Sequence, residues 1–122
     1  MKYYYNGKLI RTSKREYTHA IINKEDGGLY GCRKNYDLAK KFKDGEINQC
    51  RKYIEECKQA ICTLKNGKTK MRVRVNNNYS FIYKLSGKEL TLEYWEKKIE
   101  HLTKEMKELN EKMIIVELEA RV

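Results

Sequence analysis

The chain has no proline, no CxxC pair and no apolar run approaching the roughly 18 residues that a membrane-spanning helix needs. Residues 1 to 10 hold three tyrosines and an Asn-Gly but no continuous apolar block, so no signal peptide is read there, and the protein is expected to stay in the cytosol. The four cysteines, Cys32, Cys50, Cys57 and Cys62, lack ligand or disulfide spacing. The five-residue step from Cys57 to Cys62 turns two thiols of one predicted helix well apart, and neither His19 nor His101 completes a metal set. Reduced thiols acting as small hydrophobes fit better than zinc or disulfides.

Catalytic signatures are missing too. Ser13, Ser80 and Ser86 sit in no nucleophile elbow, and His19 falls in a predicted strand. His101 lies among the lysines and glutamates of a helix face, Glu25-Asp26 is a turn, and Glu55-Glu56 reads as a solvated surface. Gly27-Gly28 is followed by no GK[ST], so a hairpin turn is preferred to a phosphate loop. The expectation is a protein that binds rather than catalyses, with no metal and no cofactor.

What the chain does have is charge. Its 122 residues carry a formal +10, unevenly spread. Residues 1 to 88 hold 21 Lys and Arg against 8 Asp and Glu, and residues 89 to 122 hold 6 against 9. A cationic body of this kind attracts nucleic acid, anionic nucleotides or an acidic protein surface, although excess lysine also simply keeps a small protein dispersed.

Length alone predicts a single domain, 1–122. The expected fold class is α+β: an N-terminal antiparallel β-sheet body over 1–34, helices over 35–66, a β-hairpin over 68–85 and a long heptad-patterned C-terminal helix over 88–119. Asn6-Gly7 between strand-like runs predicts a type I′ hairpin, because both residues tolerate positive φ. Asn35 or Asp37 caps a short helix through Phe42, and Asp44-Gly45 interrupts or restarts it. Ile47, Cys50, Ile54, Cys57, Ile61 and Leu64 then recur at helical spacing, ending at Asn66-Gly67. Met71, Val73 and Val75 alternate with Arg72 and Arg74, and Tyr79, Phe81 and Tyr83 alternate with Ser80, Ile82 and Lys84. A three-residue asparagine loop sets Val75 opposite Tyr79 and Val73 opposite Phe81, and it keeps the apolar residues on one face. Ser86 and Glu89 have capping-box spacing. Beyond them Leu92, Trp95, Ile99, Leu102, Met106, Leu109, Met113 and Val116 form one apolar stripe, flanked by Glu93–Lys97, Glu100–Lys104 and Glu108–Lys112 at the i to i+4 spacing of ion pairs.

Residues 90–118 as one helix would span about 43 Å, against about 30 Å for 46–64. A domain of this size has a radius of gyration near 14 Å, so the second helix would overhang. Its end, residues 113–118, is apolar on nearly every side, and a homo-oligomer is inferred to cover it. The same β-branched residues also suit a final strand on the chain's own sheet.

Binding chemistry gathers on the hairpin's polar face. Arg72 and Arg74, roughly 6–7 Å apart along a strand, can fork onto successive phosphates, with Lys70 and Lys84 adding charge. Asn76 and Asn77, with Asn78, offer a base or ribose reading edge, or else simply tolerate loop φ values. Phe81 can stack on a base, though its apolar face equally suits a core. Arg11 and Arg15, in the linker after the first hairpin, form a second cationic candidate.

The opening Tyr3-Tyr4-Tyr5-Asn6-Gly7-Lys8-Leu9-Ile10-Arg11-Thr12-Ser13-Lys14, followed by Tyr17-Thr18-His19-Ala20-Ile21-Ile22, resembles the start of phage-encoded Thoeris anti-defence sponges. The β-rich beginning, long helices and Lys-rich, Pro-free composition resemble that family in arrangement. The resemblance implies a non-enzymatic homo-oligomer that sequesters a small anionic cyclic nucleotide, a cyclic ADP-ribose isomer, to block a bacterial antiphage defence. It carries no individual ligand residue onto this chain, and with no membrane-length apolar run no membrane partner is expected. The alternatives are a basic phage nucleic-acid-binding protein and a protein-interaction inhibitor acting through coiled-coil helices.

Overall fold

A computed structural model describes residues 1–122. The chain is α+β, with eight strands in three small sheets and two helices. This corrects the expected layout of one N-terminal sheet, a helix, a hairpin and a long terminal helix. Strands β1 (Lys2–Tyr5) and β2 (Lys8–Thr12) are joined through Asn6-Gly7, whose φ values of 52° and 75° suit a primed turn. Strands β3 (His19–Asn23) and β4 (Leu29–Arg33) form a second hairpin in a separate sheet.

The C-terminus explains the separation. Helix α2 (Leu92–Lys112) stops well short of residue 119, and the chain continues as β7 (Met113–Glu117) and β8 (Glu119–Arg121). Strand β7 pairs antiparallel with β3, and β8 pairs antiparallel with β1, so each N-terminal hairpin becomes a three-stranded sheet. Met113 and Ile115 pack with Ile21, Ala39, Phe42 and Leu109. Ile114, Val116 and Leu118 turn to the other side, among Ala20, Ile22, Tyr5 and Ile10. A strand covered on both faces reads as a continuous apolar run, here Met113 to Val116. The residues read as an overhanging oligomer patch therefore dock on the chain's own sheet, and that argument for self-association is removed.

Helix α1 (Tyr36–Lys65) runs unbroken for 30 residues, correcting the expected interruption at Asp44-Gly45. A mid-helix glycine costs only roughly 0.5–1 kcal/mol relative to alanine, which the packing of a helix this long can absorb. The Asn35 side chain accepts the Leu38 N–H at 2.8 Å as an N-cap. At the far end Gly67, at φ 71°, closes a Schellman motif: its N–H reaches the Leu64 carbonyl and that of Lys68 reaches the Thr63 carbonyl, both at 3.0 Å. The Ser86–Glu89 capping box opens only a 3-10 turn over Gly87–Leu90. It is Thr91 that caps α2, accepting the Tyr94 N–H at 3.4 Å.

The chain divides into two compact units, Met1–Asn48 with Lys107–Val122, and Gln49–Met106. The first holds the two three-stranded sheets. In the second, α1 residues Ile54, Cys57 and Ala60 pack with Trp95 and Leu102 of α2 and with Met71 and Leu85. Strands β5 (Lys70–Asn76) and β6 (Tyr79–Lys84) form its hairpin, anchored by Gln59, whose side-chain amide donates to the Arg72 carbonyl at 2.7 Å. All four cysteines are thiols, three of them buried, and burial pushes those of Cys32 and Cys57 above the usual range. No helix is long and apolar enough to cross a membrane.

Candidate ligand site

The β5–β6 hairpin pairs Val73 with Phe81 and Arg74 with Ser80, then skips Val75 to pair Asn76 with Tyr79. The expected three-residue loop is thus a two-residue Asn77-Asn78 turn preceded by a bulge at Val75. The bulge absorbs the residue that would otherwise have mixed the two faces. Asn76 holds the turn, its side-chain oxygen accepting the Asn78 N–H at 2.8 Å, so its acceptor is engaged locally rather than offered to a ligand.

Beside this turn lies a groove of about 350 Å³ lined by Arg72, Arg74, Asn76, Asn77, Asn78 and Tyr79, together with Ser80. No carboxylate lines it, and neither arginine enters an ion pair. Arg72 donates from Nη1 to the Ser80 hydroxyl at 2.9 Å, and Arg74 donates from Nε toward the Asn76 carbonyl at 3.4 Å. These bonds orient both guanidiniums while leaving most of their five N–H groups for an anion. Tyr79 is 59% exposed, an open ring at the groove's edge.

Four of the eight expected ligand residues therefore meet in one place: Arg72, Arg74, Asn76 and Asn77. Phe81 does not join them, because it shares the hairpin's inner face with Met71, Val73 and Tyr83. There these four residues wall a pocket of about 450 Å³ that Tyr53 and Trp95 also line. Lys84 pairs with Lys70 at the opposite end of the hairpin from the turn. Arg11 and Arg15 lie in the N-terminal unit, on a separate pocket.

The sequence does not reveal the inner pocket, because Phe81, Tyr83 and Trp95 sit on stripes that also describe a core. Only the helix–hairpin packing shows that Tyr53, Tyr83, Trp95 and Lys98 converge. Lys98 Nζ lies 5.5 Å from the Trp95 ring centre. The Tyr83 hydroxyl donates to Glu89 Oε2 at 2.5 Å, and this bond, then burial and the Glu89 charge, hold the phenol above its usual range. The alternation of Met71, Val73, Phe81 and Tyr83 was the available signal. No group of three or more His, Cys, Asp or Glu is placed to hold a metal ion. No family model, curated protein or solved structure matches this chain.

Proposed function

We propose that this protein is a non-catalytic binding protein that sequesters a small nucleotide-derived signal of the cyclic ADP-ribose isomer type, acting in a host cytosol against antiphage defence. The observation that carries the reading is the groove at the hairpin turn, where two oriented arginines stand beside an exposed tyrosine and no carboxylate lines the groove itself, although Arg74 also borders an adjacent groove lined by Glu55 and Glu56. Two forked cations match a pyrophosphate-like pair of phosphates, and the Tyr79 ring offers a stacking face for a base. The sponge resemblance supports the ligand class, and self-association belongs to the same proposal.

Exposed Tyr79 next to Arg72 and Arg74 also favours a second reading, single-stranded nucleic acid. Calorimetry with a cyclic ADP-ribose isomer separates the two. Replacing Arg72 or Arg74 by lysine keeps the charge but loses the fork. The expected loss is ~1.5–3 kcal/mol, about ten- to a hundred-fold in Kd, with a shallow salt dependence. An oligonucleotide site instead tolerates lysine and weakens steeply with salt as counterions are released. No heat with the cyclic ligand, beside tight salt-sensitive oligonucleotide binding, overturns the sponge reading.

A further inference from the structure

The N-terminal unit holds a second cationic cavity, and the fold prepares it differently. Four cations, Arg11, Arg15, Arg33 and Lys34, line a pocket of about 650 Å³ against one carboxylate, Glu16. None of the five is in an ion pair. They come from the end of β2, the linker that follows it and the end of β4. That linker is pinned rather than loose. Tyr3, 1% exposed, donates its hydroxyl to the Arg15 carbonyl at 2.6 Å and accepts the Tyr17 N–H at 3.2 Å. The Thr18 N–H reaches the Arg33 carbonyl at 3.0 Å, and its hydroxyl reaches that of Lys34 at 2.9 Å, tying the linker to the end of β4.

Two of the cations are held by rings. The Arg11 guanidinium lies 5.7 Å from the Tyr17 ring centre, and that of Arg33 lies 4.7 Å from Phe42 while donating to the Cys32 carbonyl at 2.8 Å. Both side chains are half-buried, so their fields are less screened than those of surface lysines. Burial alone would raise the Tyr17 phenol, yet hydrogen bonds with Arg11 and Ser13 and the charges of Arg11 and Arg15 bring it below its usual range.

We infer that this pocket is a separate anion site that takes a linear triphosphate chain. Four cations against one carboxylate leave an excess of three positive charges in the pocket, which matches a compact ligand of about three or more negative charges. A concave pocket also suits a compact chain better than a nucleic-acid backbone, which needs an extended basic track. The Tyr17 ring already carries Arg11 and makes an edge contact with Tyr3 at 5.5 Å, so little open ring remains for a base. The assignment does not rest on the hairpin site, since it uses other residues in the other unit.

The test is a calorimetric titration without divalent cations, using inorganic triphosphate in one arm and ATP in the other. One equivalent should bind, with Arg11→Gln and Arg33→Gln each weakening Kd roughly ten- to a hundred-fold. Exposed Arg15→Gln should weaken it as well, and it touches no core packing, so a folding defect cannot account for that loss. Equal affinity for both ligands identifies the free chain as what is recognised, whereas tighter ATP binding identifies a nucleoside triphosphate. Arg72→Gln should leave both titrations unchanged, which separates this result from the fate of the hairpin reading. The inference is overturned if neither ligand binds, if a cyclic oligonucleotide binds here in preference to triphosphate, or if Lys2→Gln and Lys8→Gln weaken binding as much as Arg11→Gln. Those two lysines are exposed and outside the pocket, and they remove the same charge.

Discussion

Glu89 ties three elements together through one side chain and one carbonyl. Its carboxylate accepts the Tyr83 hydroxyl from β6 and the Ser86 N–H, and its carbonyl accepts the Trp95 indole N–H at 2.7 Å. The raised Tyr83 pKa means the folded chain holds that proton more tightly than the unfolded chain does. This contribution to stability is whole below the unfolded tyrosine pKa of about 10, and it is lost as pH rises through the higher folded value. Chemical denaturation across that range should therefore show wild type losing stability more steeply than Tyr83→Phe. Parallel curves would mean that the hydrogen bond contributes nothing. Single residues were also where the sequence spoke most clearly. Asn6-Gly7, Asn35 and Asn66-Gly67 each act through local backbone chemistry, and each is found in the role expected of it.

Elements were legible where one face alone is buried. The α2 stripe from Trp95 through Leu109 turns inward, and Glu93–Lys97 forms its pair at 2.9 Å. Leu102→Ala should cost ~2–5 kcal/mol in denaturant unfolding, whereas exposed Lys104→Ala should change little. Equal effects would place the stripe elsewhere. The Met113–Glu117 segment reads both as a helix end and as a final strand for a physical reason. Heptad spacing and a doubly buried strand both place apolar residues at 113 and 116, and only the β-branched run Ile114-Ile115-Val116 argues against a helix. Pairing with β3 needs a partner some ninety residues away, which no local period reveals. Ile115→Lys with Val116→Glu should accordingly unfold the N-terminal unit, seen as lost β signal in circular dichroism. A well-folded variant that merely dissociates would contradict the strand assignment. The hairpin shows the same division. Its alternation fixed the Val73–Phe81 pairing, but the bulge at Val75 depends on how the turn closes.

At the scale of the whole molecule, charge was legible and its placement was not. The excess of Lys and Arg in residues 1 to 88 pointed to an anionic partner. Composition could not show that Arg72 and Arg74 would share a carboxylate-free groove, nor that Arg33 and Lys34 would meet Arg11 and Arg15 in another. The central claim is sequestration: the ligand is held and returned unchanged. It is tested most directly by incubating the protein with a cyclic ADP-ribose isomer, removing the unbound ligand, denaturing the protein and quantifying what is released by mass spectrometry. The account predicts intact cyclic ligand, recovered in proportion to the protein and much reduced for Arg72→Lys. A linearised or cleaved product accumulating beyond the amount of protein, or no recovered ligand at all, would contradict it.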